Sequence, residues 1–427
     1  MPFSNTDYPD IAPRTRARVA AHPTRRHRLP RVALPTITRP SATFCVLDVS
    51  EFFGNTSGGV KTYLTEKARY VQQRPWLRQV VVVPSDHDAL SESDGVRWYH
   101  LRGPAIPWQR PYRAMLAVRA LASIVRHERP DVIELGSPLL APWIINGPAR
   151  ALDCPRVYFH HSHLPRVLAP RGRGEPLGRR AAAALAWRYL RRLSRDCALT
   201  LAASTFVADD LIAAGFGNVR RAPLGVDLAL FDPRRREQRQ AVRQCAGLPS
   251  GPLAIYAGRL AREKEVPLLL DAWAVLERRT GVHLAIVGDG PARRGMRERA
   301  QVQRLSWLPY EPARERLADL LAAADFYVSP CSVETFGLAA LEALASGTPV
   351  LSADRGGVAE QVAASGAGAL FNSGSARSLA EVAERFLAKN LALLGEKGRA
   401  YAQRHHSWTA TFDVIFDMYQ ELARRPC

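Results

Sequence analysis

No stretch of this 427-residue chain approaches the ~18 uninterrupted apolar residues that a membrane-spanning helix requires, because Arg, Pro or acidic side chains break every run. Its six cysteines, Cys45, Cys154, Cys197, Cys245, Cys331 and Cys427, show no C-x-x-C or Cys/His spacing. That argues against a zinc site and a disulfide framework, and it fits a reducing, cytoplasmic compartment. The G-x-G-x-x-G fingerprint is missing from Glu51–Val60, after the first strand-like run, so a Rossmann dehydrogenase is not expected. Thr24-Arg25-Arg26 is not followed by an apolar segment, so twin-arginine export is not expected either. Lysine is scarce, at five of the 59 basic residues. The arginine excess reads partly as composition bias, and nucleic acid is not expected as a partner.

The net charge of +19 is unevenly spread: residues 1–42 contribute +6, residues 43–230 contribute +9 and the remainder +4. A basic front half suits an anionic surface. The first 42 residues lack periodicity and recur in Pro and Arg, which predicts a disordered basic tail. From Thr43 apolar strand-like runs alternate with helical stretches: Phe44–Val49, a helix over Val60–Gln72, then Gln79–Val83, Asp131–Leu135 and Arg156–Phe159. After a charged, Pro-broken junction at Phe231–Arg236 the alternation restarts. Leu253–Ala257, a helix over Pro267–Arg279, His283–Val287 and Phe326–Val328 follow, and Tyr401–Ala423 reads as a closing helix. Such alternation predicts α/β architecture with two doubly wound parallel sheets, each with its ligands beyond the C-terminal strand ends. The predicted domains are 43–228, 229–400 and a C-terminal helical segment, 401–427.

The most informative stretch is 329–350. Glu334 and Glu342 stand eight positions apart, and the turn Glu334-Thr335-Phe336-Gly337 leads into an apolar helix that stops at Ser346-Gly347. The first amides of such a helix are unpaired and attract a phosphate or diphosphate. Eight helical residues rise about 12 Å and rotate the second carboxylate away from the first. Glycosidase carboxyl pairs lie roughly 5 to 9.5 Å apart across one bond, so these two fit better as separate clamps on a long ligand with an anionic middle. A nucleotide-sugar has that shape.

Upstream, Ala257-Gly258-Arg259-Leu260-Ala261-Arg262-Glu263-Lys264 follows a buried strand, so Arg259 and Lys264 can stabilise a leaving diphosphate without a metal. Together these segments resemble the E-x7-E unit and the Arg/Lys loop of the retaining GT-B glycosyltransferases of family 4. The resemblance covers roughly residues 43–423 and implies two Rossmann-like domains facing a central cleft, the first on the acceptor side and the second binding the nucleotide-sugar. It implies that Glu334 contacts donor-sugar hydroxyls, that Glu342 holds the ribose, and that the closing helix crosses back to the front domain. Thr335, Phe336, Gly337 and Leu338 would receive the diphosphate. Gly58 and Gly59, in Ser57-Gly58-Gly59-Val60, resemble the family's front glycine loop. Gly288, in Gly288-Asp289-Gly290-Pro291, would turn near the base, and Gly356-Gly357 is a similar loop.

The family places a His on the donor sugar, which in Tyr158-Phe159-His160-His161-Ser162-His163 matches His161 best, with His163 in the following polar place and His160 as the alternative. Adjacent histidines on an extended chain point to opposite faces, so zinc is discounted. Asp86-His87-Asp88 spells a D-x-D, a metal signature of another glycosyltransferase architecture, and is read as chance. Glu134 is expected to point toward the cleft and the acceptor, with a structural role as the alternative. On a helical wheel Leu177–Arg195 gathers Arg180, Arg188, Arg191, Arg192 and Arg195 opposite Leu185, Tyr189, Leu190 and Leu193, a face suited to an anionic membrane, the inner face of the plasma membrane being the expected place.

The resulting expectation is a metal-independent, cofactor-free retaining transferase that moves a hexose from a nucleotide-diphosphate sugar to a lipid-linked or saccharide acceptor. The front half is also similar to bacterial α-mannosyltransferases, which favours GDP-mannose. The alternatives are a UDP-glucose or UDP-galactose transferase of the same fold, a nucleotide-sugar epimerase or hydrolase, and a non-catalytic nucleotide-sugar binder.

Overall fold

A computed structural model describes residues 43–54, 58–107, 111–169, 174–300 and 302–424. The predicted tail, the twin-arginine segment, Ser57 and Cys427 lie outside the described residues. The strands form two sheets. The first contains β1 (Phe44–Val49), β2 (Leu77–Ser85), β3 (Ala89–Ser93), β4 (Val96–Arg102), β5 (Val132–Leu135), β6 (Arg156–Phe159), β7 (Leu199–Ala202) and β8 (Val219–Arg221). Their order is β3-β4-β2-β1-β5-β6-β7-β8, and every pair is parallel except the β3–β4 hairpin. The second contains β9 (Leu253–Ala257), β10 (His283–Val287), β11 (Leu305–Leu308), β12 (Phe326–Ser329), β13 (Val350–Ala353) and β14 (Gly368–Phe371). It is wholly parallel, in the order β11-β10-β9-β12-β13-β14. Helices cover both faces of each sheet, which is why the central strands are unbroken runs such as Val80-Val81-Val82-Val83, fully buried. The α/β architecture of two doubly wound sheets is the one expected.

Strand β2 is longer than the Gln79–Val83 core suggested, because it continues through Pro84, past Val82, where β4 alone still pairs with it. The expected closing helix is in fact two, Leu391–His405 and Trp408–Arg424. The break has a clear cause. His406 N still donates to Ala402 O at 3.0 Å, but its carbonyl leaves the helix to accept from Val226 N at 2.8 Å and its ring pairs with Leu224 O at 3.0 Å, tying this point to the segment that joins the sheets. Beyond it, Trp408–Arg424 lies along the Gly59–Gln72 helix, with Tyr70 stacked on Phe416 and bonded to Asp413 at 2.6 Å.

Under that contact Lys67 is completely buried, 2.6 Å from Asp48 and 3.0 Å from Glu134. Tyr63 and Tyr419 donate to the same Glu134 oxygen. A buried charge is tolerable only when so thoroughly paired. The cluster joins β1, β5, the first helix and the last, and one apolar core runs from Val46 and Phe159 through Phe231 and Phe412 to Ile255 and Leu344.

Candidate active site

In an open parallel sheet the loops diverge where the strand order reverses, leaving a crevice at the C-terminal strand ends. The second sheet reverses between β9 and β12, and the first between β1 and β5. β9 runs into Gly258–Lys264 and β12 into Pro330–Leu338. β1 leads to Gly58 and Gly59, while β6, beside β5, leads to His160 and His161. Arg259, Lys264, Glu334 and Gly58–Gly59 therefore leave the reversal points of the two sheets, while His161 and Gly288 leave strands next to them.

They also touch. Lys264 Nζ lies 2.5 Å from Glu334 Oε2, each side chain about one-fifth to one-quarter exposed (25% and 20%). Burial works against the Lys264 charge, but the Glu334 carboxylate outweighs it and holds the ammonium above its ordinary range. Arg259 is turned onto Glu263, four positions along, with its guanidinium 5.7 Å from the Tyr112 ring of the front half. Thr335 Oγ1 donates to His161 O at 3.0 Å across the cleft. Gly59 faces Leu338: a Cβ there would lie 3.4 Å from Leu338 Cδ1.

The turn before the helix is rigidly specified. Gly337 has φ +91°, and a Cβ on it would fall 2.2 Å from Val358 Cγ2, so only glycine fits. Glu334 O accepts from Gly357 N, and Phe336 O accepts from Gln361 Nε2, both at 2.7 Å. The Leu338–Ala345 helix thus begins at Gly337 with no side-chain cap on its first amides. The Phe336 side chain, however, is 5% exposed and packs on His406, so this residue can meet a ligand only through its backbone. Gly288 ends β10 with φ +147°, pressed against Gly258 O. Glu342 is buried in the helix and bonded to Arg314 at 2.8 Å. Burial raises its pKa, and Arg314 opposes the rise.

His161 stacks on Phe159 with ring centroids 4.1 Å apart. Burial depresses its pKa to about 4, so it is neutral at physiological pH, and its Nε2 has no partner among the described residues. The other expectations in this region are corrected. Glu134 does not reach toward the acceptor side: it is 1% exposed and committed to Lys67, Tyr63 and Tyr419. Burial would raise its pKa, but Lys67 and the hydroxyls hold it below the usual carboxylate range. His163 is not in the crevice with His161: it is bonded to Asp210 at 2.9 Å, beside Arg166, as a buried structural group. His160 points the opposite way from His161, to the Tyr158 hydroxyl at 3.2 Å. Asp86 pairs with the exposed His87, and Asp88 accepts from Arg102 N. Among the described residues no three His, Cys, Asp or Glu side chains gather as a metal site. The Leu177–Ser194 helix packs through Ala186, Leu190 and Leu193, which turns Leu185 outward (67% exposed) among the arginines, contrary to the helical-wheel grouping.

Three contributors were absent from the sequence reading. Glu51, buried after β1, accepts from Leu140 N at 3.0 Å, from Met115 N and from Ser137 Oγ, which fixes the loop that leads to Gly58. Glu360 caps a front-half helix by accepting from Thr205 N at 2.9 Å and from Phe206 N. Arg314 partners Glu342. Each acts across a long sequence separation, and the only local trace is a Thr/Ser-type helix start at Ser204-Thr205.

This geometry has relatives. Residues 57–230 match the family model described as Glycosyltransferase Family 4, and residues 239–405 that of Glycosyl transferases group 1. The GDP-mannose-dependent alpha-(1-6)-phosphatidylinositol dimannoside mannosyltransferase of Mycobacterium tuberculosis is 32% identical over 72% of this chain and 78% of its own length. Sulfoquinovosyl transferase of Arabidopsis thaliana is 28% identical over 84% of this chain and 70% of its own. Among solved structures, sucrose-phosphate synthase from Thermosynechococcus elongatus superposes with a TM-score of 0.73 at 21% identity, covering 89% of this chain and 99% of the other. Anabaena HepE in complex with UDP and glucose does so with 0.68 at 18%, covering 88% and 99%. With both sheets matched and a relative aligned over most of its length, this chain belongs to glycosyltransferase family 4, with the GT-B fold, and is a hexosyltransferase.

Proposed function

We propose that this enzyme moves a mannosyl group from GDP-mannose to a lipid-linked or saccharide acceptor, as an α-glycoside with retention and without a metal ion or other cofactor. The observation that carries the reading is the Lys264–Glu334 pair, 2.5 Å long, seated where β9 and β12 part and beside the start of the Leu338–Ala345 helix. As the bond from the anomeric carbon to the diphosphate oxygen breaks, Lys264, Arg259 and the helix amides neutralise the charge that develops. The acceptor oxygen attacks from the same face and passes its proton to the leaving phosphate oxygen. Glu334, held by Lys264, is assigned to the sugar hydroxyls rather than to nucleophilic attack, and His161, neutral, lines the same sugar. Glu342 takes the ribose. Residues 43–228 serve the acceptor and 229–400 the donor, and the helix Trp408–Arg424 braces the two.

Mannose is favoured by the GDP-mannose dependence of the mycobacterial relatives. A UDP-hexose is the second reading, since HepE was also crystallised with UDP-glucose. The exposed Arg180, Arg188 and Arg191, without carboxylate partners among the described residues, suit a cytoplasmic enzyme resting on an anionic membrane. A panel of GDP- and UDP-hexoses, assayed for acceptor-dependent nucleotide release, tests the assignment. Release from UDP-hexoses alone would transfer it to the second reading, and acceptor-independent conversion of the sugar would replace transfer with epimerisation or hydrolysis.

A further inference from the structure

We infer that Arg314 is a positioning residue, holding the Glu342 carboxylate in place to accept the ribose hydroxyls of the donor nucleotide. The inference rests on the nucleotide-sugar reading above and extends it to a side chain outside both signature segments.

Arg314 opens the Arg314–Ala323 helix after β11. Its guanidinium lies 4.9 Å from the ring of Phe231, a fully buried residue of the segment joining the two sheets. That cation–π contact restricts a side chain that would otherwise be free to wander. From there Nη1 reaches Glu342 Oε1 at 2.8 Å, and among the described residues no other side chain is hydrogen-bonded to this carboxylate. Glu342 itself is only 4% exposed, in the middle of an apolar helix. An unpaired carboxylate in such a place would take up a proton.

The charged and titratable groups around Glu342 come from three elements. Arg314 is the one cation in direct contact. Glu66 faces it from the Gly59–Gln72 helix of the front half, with its own partner Arg69 at 2.7 Å. The third is Tyr327 of β12, whose hydroxyl is committed to Ala257 O at 3.1 Å. Burial and Glu66 favour the protonated acid; Arg314 alone favours the carboxylate. The distinction matters because a ribose diol offers two O–H donors. An ionised carboxylate accepts both, whereas the acid spends part of its capacity as a donor. Removing Arg314 lifts the Glu342 pKa further and should therefore weaken ribose binding specifically, and more so as pH falls through the pKa of the variant toward that of the wild type.

The test is calorimetric binding of GDP and UDP, each beside its 2′,3′-dideoxy analogue, to wild type, Arg314→Met and Arg314→Lys over a range of pH. Wild type should prefer the ribonucleotide to the analogue, and Arg314→Met should lose ~10-fold or more for the ribonucleotide and almost nothing for the analogue. The loss should grow toward acid pH, and Arg314→Lys should recover most of it. If Arg314→Met matches wild type for every probe, or weakens ribonucleotide and analogue equally, this inference is overturned while nucleotide binding stands. Wild type that binds neither GDP nor UDP would overturn the donor reading and this inference together.

Discussion

The sharpest test of the site is to remove the Lys264 cation. In the structure it is the partner of Glu334 and stands beside the start of the Leu338–Ala345 helix. Lys264→Met would take a positive charge from the leaving diphosphate and, in the same step, leave the Glu334 carboxylate unpaired close to it. One lost oxyanion donor typically costs ~100- to 1000-fold in turnover, about 3 to 4 kcal/mol of transition-state stabilisation. The uncompensated carboxylate places Lys264→Met at the upper end of that range. Arg259→Ala belongs at the lower end, because its guanidinium is engaged by Glu263 and must leave it to reach the donor. Glu263→Gln should consequently keep its activity. The assay is acceptor-dependent nucleotide release at saturating donor, with thermal unfolding run in parallel. Because both cations are partly exposed, melting temperatures should stay within a few degrees of wild type, about the shift that 1 kcal/mol produces. Turnover within about threefold of wild type for both Lys264→Met and Arg259→Ala would refute the leaving-group role.

Further outcomes follow from the same geometry. Activity should persist in EDTA, and Asp86→Ala with Asp88→Ala should leave it unchanged; inhibition by chelator that manganese or magnesium reverses would contradict metal independence. His161, held neutral with a pKa of about 4, and His160, pushed well below its ordinary value, both by burial, bind protons in the unfolded chain before they do in the folded one. Their contribution to stability is therefore full above about pH 6.5 and is lost as pH drops toward 4, ~3 kcal/mol from His161 alone, while buried Asp48, raised to about 6, acts in the opposite sense; the same pH slope of urea unfolding in wild type and His161→Phe would tell against it. Arg180→Gln, Arg188→Gln and Arg191→Gln combined should reduce co-sedimentation with anionic but not neutral vesicles at low salt, and equal pelleting of variant and wild type would remove this helix from any membrane contact.

What the sequence revealed of this site was whatever is encoded locally. A strand end followed by Arg259 and Lys264, and a turn followed by an apolar helix, are short patterns whose chemistry travels with them, and their strand context put them at the reversal points of a sheet. Gly337 is legible for the same reason, because its positive φ is a local demand. Glu134 stayed open between an acceptor and a structural role because its position at a strand end is local, while its partners are not. Lys67 is 67 residues away and Tyr419 is 285, so the burial that claims this carboxylate appears only after folding. The same holds for His163, whose partner Asp210 lies on another helix. The β3–β4 hairpin went unread although Asp94-Gly95, both at positive φ, is a recognisable turn between its strands. Leu185 shows the limit of a helical wheel: with Ala186 as the packing residue, the interface turns enough to put its neighbouring leucine in water.

The contacts between the two halves are concentrated where the donor is proposed to lie, and this has a structural logic. Thr335 donates to the His161 carbonyl, Leu338 meets Gly59, Arg259 reaches the Tyr112 ring, and Glu360 caps the Thr205–Ala213 helix. Three of these four use groups in or directly beside the signature segments. The halves are covalently joined on one side by the segment through Phe231 and braced by Trp408–Arg424, whose position depends on the break at His406. Separating the crevice walls would therefore break the Thr335–His161 hydrogen bond and uncover the helix start, while the bracing core remained intact. Hydrogen bonds and one carboxylate cap are each worth about 1 to 3 kcal/mol, small beside the apolar brace. The weaker and the stronger contacts are thereby segregated, with a few small links across the donor site and a continuous hydrophobic core behind it. A ligand that must enter, be screened from water and leave needs that division of strength.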